Sequence, residues 1–160
     1  MVKYKTKIMI KVGDKAPEIN APDQNGKKIS LKNYKGKKVI LYFYPKDDTP
    51  GCTAEACNLR DNYNLLIKKG FEVIGVSCDS ELKHQKFIQK YELPFTLVSD
   101  ENKEVVNAYG VWGPKKFMGK VYDGISRHTF IIDEKGKIEA IIEKVDTKNH
   151  AQQILETLNN

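Results

Sequence analysis

The sequence predicts an α/β fold in which a central mixed β-sheet is flanked by helices, and three stretches carry that expectation. Residues 37–44, KKVILYFY, hold an apolar run too short for a helix and rich in β-branched and aromatic side chains, the pattern of a central strand buried on both faces. With a second strand at 71–78 and helices at 49–69 and 80–91, this gives a β-α-β-α run whose short connections wind right-handed into a parallel sheet. Residues 125–143, ISRHTFIIDEKGKIEAIIE, then hold two β-rich runs around DEKGK, a hairpin that makes the sheet mixed.

Taken in order, residues 1–10 form an N-terminal extension and 11–160 a single domain, with no repeat, low-complexity tract or linker. Near the start, NAPDQNGKKISLKNYKG predicts short strands around an Asn25-Gly26 turn. The first helix, 49–69, has Thr49 as N-cap candidate, Pro50 at its first position and Gly70 as a stop after two lysines. The second, 80–91, has Ser80 as cap and apolar Leu82, Phe87 and Ile88 at helical spacing. FTLVSD (95–100) is a short strand before a small helix at about 102–109, and NHAQQILETLNN is a closing helix packed on the sheet. This element order is similar to that of the thioredoxin fold.

Composition narrows the function classes. At 160 residues and 40% hydrophobic content the chain can build one continuous core. It has no stretch near the roughly 18 apolar residues that span a bilayer, and lysines interrupt the opening MVKYKTKIMIKVGD. The expectation is a soluble, cytoplasmic protein with no membrane partner. Lys+Arg 27 against Asp+Glu 21 gives +6, but the charges are mixed and no basic run is interleaved with aromatics, so a nucleic-acid partner is not expected. Three cysteines in a reducing compartment point to redox or metal chemistry rather than a structural staple.

Cys52 falls third in the first turn of the helix after the central strand, at the sheet end where ligands bind and where the helix dipole favours an anion. At the reference pKa of about 8.5 only about 3% of a thiol is ionised at pH 7. A helix N-terminus with a cationic neighbour can bring a thiol to about 6, a roughly thirtyfold gain in thiolate. Arg127 is the cation on offer: strand alternation puts Arg127 and Thr129 on one face and His128 on the other.

Each of these residues also has a plain structural reading. Arg127 could be an ordinary salt-bridge partner, Thr49 only a cap, Pro45 and Pro50 only loop punctuation, and Cys57 and Cys78 small buried hydrophobes. His84 and His150 are expected in solvent. Cys52, Cys57, Cys78 and His84 could supply four metal ligands, but no C-x2-C or H-x3-H spacing supports zinc. A Cys-His hydrolase would need a histidine beside Cys52, and His128 is expected to face away.

FYPKDDTPGCTAEACNLRD resembles the peroxidatic signature of the peroxiredoxins, P-x3-T-x2-C, here Pro45, Thr49 and Cys52. KVGDKAPEINAPDQNGK, GVSCDS, LPFTLVSD and YGVWGPKKFMGKVYDGISRHTFIIDEKGKI are similar to the atypical two-cysteine branch, the bacterioferritin comigratory or thiol peroxidase Q type, from about residue 11 almost to the end. The resemblance implies a thioredoxin-like fold and a thiol peroxidase with no cofactor and no metal. Cys52 would attack the peroxide and become a sulfenic acid, Thr49 and Arg127 would bond the peroxide oxygens, and Pro45 would shield the pocket. Cys57 would resolve the sulfenic acid as an intramolecular disulfide, and a thioredoxin-type reductant would recycle it, the protein being a monomer or weak dimer. Cys78 has no counterpart role.

Two alternatives stand beside this. A general thiol-disulfide oxidoreductase usually shows C-x-x-C at this helix start, where this chain has C-x4-C; a non-enzymatic redox-sensing or holdase-like protein would need a large exposed apolar surface. Helix geometry adds a constraint on any pairing of Cys52 with Cys57. Residues five apart on a regular helix have Cα atoms roughly 8 to 9 Å apart, beyond the ~7 Å limit of a disulfide. The helix start would have to unwind, which Pro50, Gly51 and Thr53 make easy.

Overall fold

A computed structural model describes residues 10–159. Of the expected extension over 1–10, only Ile10 is among them, and it packs against the core; the rest lies outside the described residues.

The first strands of the described residues form a two-stranded ribbon, β1 (Ala21–Pro22) and β2 (Lys28–Ile29), antiparallel around the expected turn. Asp23 Oδ1 ties that turn by accepting from the N–H groups of Asn25 and Lys27 at 2.8 and 2.9 Å. There follow β3 (Lys38–Phe43), α1 (Pro50–Asp61), α2 (Tyr63–Lys68), β4 (Phe71–Ser77), α3 (Glu81–Tyr91), β5 (Thr96–Ser99) and α4 (Glu104–Ala108). A hairpin of β6 (Trp112–Phe117) and β7 (Lys120–Ile125) leads to β8 (His128–Ile132), β9 (Ile138–Ile142) and α5 (His150–Asn159).

The main sheet has the order β5-β4-β3-β8-β9, parallel from β5 to β3 and antiparallel from β3 to β9, the mixed sheet the sequence predicts. Strand β3 lies at its centre and is buried on both faces. Val39, Leu41 and Phe43 enter one apolar layer with Val105, Tyr109 and Phe130; Ile40 and Tyr42 enter the other with Cys52, Ala56, Leu59 and Ile154. Gly75 is required beside it, because a Cβ there would lie 2.7 Å from Leu97 Cδ2 and 2.8 Å from the Tyr42 ring.

Three expectations need correction. The single helix over 49–69 is two, broken at Asn62, whose Nδ2 and backbone N–H both donate to the Asn58 carbonyl, at 2.8 and 3.2 Å. A side chain competing for a helical carbonyl in this way favours a break. His84 and His150, expected in solvent, are both buried. On α3, capped by Ser80 as predicted, the buried residues are His84 and Phe87, while Leu82 points out. The β6–β7 hairpin was not foreseen: lysines, glycines and a proline interrupt its hydrophobic pattern. It turns at Met118-Gly119, both with positive φ (51° and 79°), and exposes Phe117, Met118, Val121 and Tyr122. No helix among the described residues is long and apolar enough to cross a membrane.

Candidate active site

The carboxyl end of β3 feeds a short loop, Tyr44 to Asp48, into the N-terminus of α1. A buried network fixes this loop. Tyr44 donates its hydroxyl to Asp47 Oδ1 at 2.6 Å, His84 Nδ1 lies 2.6 Å from Asp47 Oδ2, and His84 Nε2 donates to the Val98 carbonyl at 2.9 Å. The Asp47 N–H donates to Asp79 Oδ2, which also accepts from Ser77 Oγ, both at 2.8 Å. Asp47, Asp79 and His84 are close enough to share an ion, but their donor atoms are already engaged with one another and with the chain. The sequence-level set of Cys52, Cys57, Cys78 and His84 is not among the groupings close enough to hold a metal in the described residues.

Thr49 takes the extended N-cap conformation, Pro50 begins α1 and Cys52 is third in its first turn, as predicted. The Thr49 hydroxyl does not cap the helix; it donates to the Lys46 carbonyl at 2.9 Å, which leaves its oxygen lone pairs free to accept. Pro45 is half-buried in the loop. Cys52 is 1% exposed, so a thiolate there loses most of its hydration and needs a compensating donor. Arg127 supplies it, with Nη1 3.4 Å from Cys52 Sγ. Gly51 leaves the room, because a Cβ at that position would stand 3.1 Å from Arg127 Nη2.

Arg127 lies in the short link between β7 and β8. Antiparallel pairing sets Phe43 at the end of β3 opposite His128 at the start of β8, so the chain leaving β3 for α1 passes the residue before β8. That register brings together two side chains 75 positions apart. Thr129 shares the Arg127 side as expected, and His128 turns away to the Ser126 carbonyl.

One charged group escaped the sequence reading. Glu55, one turn after Cys52, is fully buried and accepts from the same Arg127 Nη1 through Oε1 at 2.9 Å. Burial pushes its carboxyl up to about 7, against the opposing pull of Arg127. Its other oxygen, Oε2, has no hydrogen-bond partner among the described residues and lies 3.5 Å from His150 Nε2. His150 is held by Thr129 Oγ1, 2.7 Å from Nε2, and by Gln153 Oε1, 2.9 Å from Nδ1. Gln153 Oε1 also accepts from the Asp146 N–H while Nε2 donates to the Lys144 carbonyl, which fixes the amide so that His150 Nδ1 is the donor. Burial lowers the His150 imidazole to about 4. The only signal for Glu55 was its position one turn beyond Cys52, which an unpaired surface glutamate would share.

Cys57 is half-buried on α1, and neither it nor Cys52 is in a disulfide. Cys78 is half-buried at the end of β4, where burial pushes its thiol up to about 11, unsuited to a nucleophile at neutral pH.

A cysteine at a helix start beyond the carboxyl end of a central strand, under an arginine carried by the antiparallel half of the sheet, defines a thioredoxin-like thiol oxidoreductase. The chain belongs to the AhpC/TSA family, which it matches over residues 12–141. It is 48% identical to peroxiredoxin Bcp of Escherichia coli K12, covering 93% of this chain and 96% of that protein. It is also 44% identical to peroxiredoxin Bcp of Bacillus subtilis 168, over 94% and 96%. Among solved structures it is similar to a cysteine-to-serine mutant of Xylella fastidiosa PrxQ, with TM-score 0.87, 29% identity and coverage of 96% and 98%. It is similar also to a Xanthomonas campestris bacterioferritin comigratory protein described for alkyl peroxide reduction, with TM-score 0.82, 30% identity and coverage of 96% and 98%. It is therefore a peroxiredoxin-class enzyme, a thiol-dependent peroxidase.

Proposed function

We propose that the enzyme reduces hydrogen peroxide and organic hydroperoxides through Cys52, and the observation that carries the assignment is the Arg127 guanidinium 3.4 Å from Cys52 Sγ at the start of α1. The Cys52 thiolate attacks the terminal peroxide oxygen; an S–O bond forms, the O–O bond breaks, and the alkoxide or hydroxide leaves with a proton as alcohol or water. Arg127 donates to the oxygens as charge moves onto the leaving group, usually the largest catalytic effect in such a site. Thr49, whose hydroxyl proton is committed to Lys46, accepts from the peroxide O–H. Pro45 keeps water from the thiol side of the loop.

The resulting Cys52 sulfenic acid condenses with the Cys57 thiol, forming the disulfide and releasing water. A dithiol reductant of the thioredoxin type then restores both thiols and is itself oxidised. The alkyl-peroxide neighbour supports the organic substrates, and no metal or organic cofactor takes part. Because both cysteines sit within Pro50–Asp61, the start of α1 unwinds between the peroxide step and the disulfide step.

Stopped-flow peroxide consumption tests the assignment. Cys52→Ser abolishes turnover; Cys57→Ser consumes about one equivalent and stalls unless an outside thiol is added. Full turnover by Cys52→Ser sinks the scheme, and mass mapping of the oxidised protein identifies the disulfide directly.

A further inference from the structure

We infer that Asn58 gates the resolving step: its side chain caps the C-terminal helix α5 from α1, next to Cys57, and this tie must be released before the disulfide can form. The inference rests on Cys57 as the resolving thiol.

Asn58 makes two hydrogen bonds to the backbone at the start of α5. Its Oδ1 accepts from the Ala151 N–H at 2.8 Å and its Nδ2 donates to the Lys148 carbonyl at 3.0 Å. Accepting from the second N–H of a helix is the work ordinarily done by the residue just before that helix; here another helix does it. The tie is reinforced on both sides. Gln152 Nε2 donates to Asn62 Oδ1 at 3.3 Å, and one turn earlier His150 reaches Glu55. Glu55, Asn58 and Asn62 follow the i, i+3, i+7 spacing of one helix face, so α5 grips α1 along a single stripe.

Bringing Cys57 to Cys52 takes residues 52–57 out of the helix. What is left of α1 beyond them is a single turn, 58–61, and one turn does not persist alone. Asn58 then swings off α5 and gives back both hydrogen bonds. While the tie holds, the Cys52 sulfenic acid waits, exposed to a second peroxide that converts it to the sulfinic acid and releases another alcohol or water. The strength of the cap therefore sets the division between disulfide and overoxidised enzyme.

The test follows full-length reduced enzyme through one peroxide turnover, reading the peroxide step and the disulfide step separately, with intact mass for the sulfinic product after repeated turnover. Asn58→Ala forms the disulfide about fivefold faster, the factor a lost helix cap is worth, with an unchanged peroxide step and proportionately less sulfinic acid. Gln152→Ala, which loosens the same tie from the α5 side, gives a smaller acceleration. Asn58→Asp keeps the acceptor for Ala151 and stays near the parent rate. Val105→Ala, on the opposite face of the sheet, serves as a control for general destabilisation and leaves the division unchanged. Amide exchange at Ala151 rises on oxidation. The gate is overturned if the Cys52–Cys57 disulfide forms at the parent rate in Asn58→Ala, if Val105→Ala accelerates it as much, or if Ala151 stays equally protected in both redox states. Absence of that disulfide in the parent enzyme, seen by mass mapping, instead refutes Cys57 as the resolving thiol, and the gate with it.

Discussion

At Arg127 two acceptors share one guanidinium nitrogen: Cys52 Sγ at 3.4 Å and Glu55 Oε1 at 2.9 Å. Whatever charge Glu55 carries is subtracted from the field that Arg127 offers the thiolate, so the glutamate tunes the nucleophile without touching the peroxide. Substitution separates the two influences. Arg127→Met slows the peroxide step about a hundredfold, the cost of losing one donor to the developing charge, and Glu55→Gln, which keeps an oxygen for Arg127 but no charge, quickens it. Stopped-flow peroxide rates in a Cys57→Ser background measure both. A slower peroxide step in Glu55→Gln would show that Glu55 serves the site by holding Arg127 in place and not by its charge. The helix start and the strand pattern offered Arg127 as a cation for Cys52, and the resemblance to the peroxiredoxin signature singled it out over an ordinary salt-bridge role. Glu55 was not legible, because burial of a carboxylate depends on a partner that only the folded chain brings to it.

At the scale of elements, the opening of α1 decides how fast the catalytic cycle passes from one cysteine to the other. Thr53, one residue past Cys52, is β-branched and lowers helix propensity; Thr53→Ala raises it by about 0.5 kcal/mol and slows disulfide formation about twofold. Sulfinic acid at a given peroxide dose rises accordingly, and a faster disulfide step would count against unwinding as the limiting event. Amide exchange over residues 50–57 rises on oxidation, and equal protection in both states would exclude local unfolding. The signals that marked this helix, Thr49, Pro50 and Gly70, placed its outer ends correctly. The break at Asn62 escaped because it comes from a side chain folding back onto the Asn58 carbonyl, a choice that sequence patterning does not record. The two misplaced histidines share one cause. His84 and His150 occupy core positions of α3 and α5 as polar residues whose ring nitrogens meet partners from other elements, Asp47 and Val98 for one and Thr129 for the other.

For the whole molecule, the mixed sheet does two things at once: its parallel half aims α1 at the site, and its antiparallel half returns Arg127, Thr129 and finally α5 to cover it. Strand types and the hairpin at 125–143 were readable; the register that opposes Phe43 to His128 was not, since it arises from packing on both faces of β3. The same return path buries Glu55 against His150, and that pair shapes how stability depends on pH. Glu55 has its pKa raised from 4.5 to about 7, so its contribution is fully present below 4.5 and is lost as pH rises through about 7. His150 has its pKa lowered from 6.5 to about 4, so its contribution is present above 6.5 and is lost as pH falls through about 4. Between these limits folding moves a proton from imidazole to carboxyl and binds almost none, so the two slopes cancel. Single substitutions expose them. In His150→Gln stability falls as pH rises from about 4.5 to 7; in Glu55→Gln it rises from about pH 4 to 6.5, each arm on the order of 3 kcal/mol. Urea midpoints across this range, with the parent protein nearly flat, measure the effect. Slopes of the same sign in the two variants would mean that the buried pair does not govern the pH dependence of the fold.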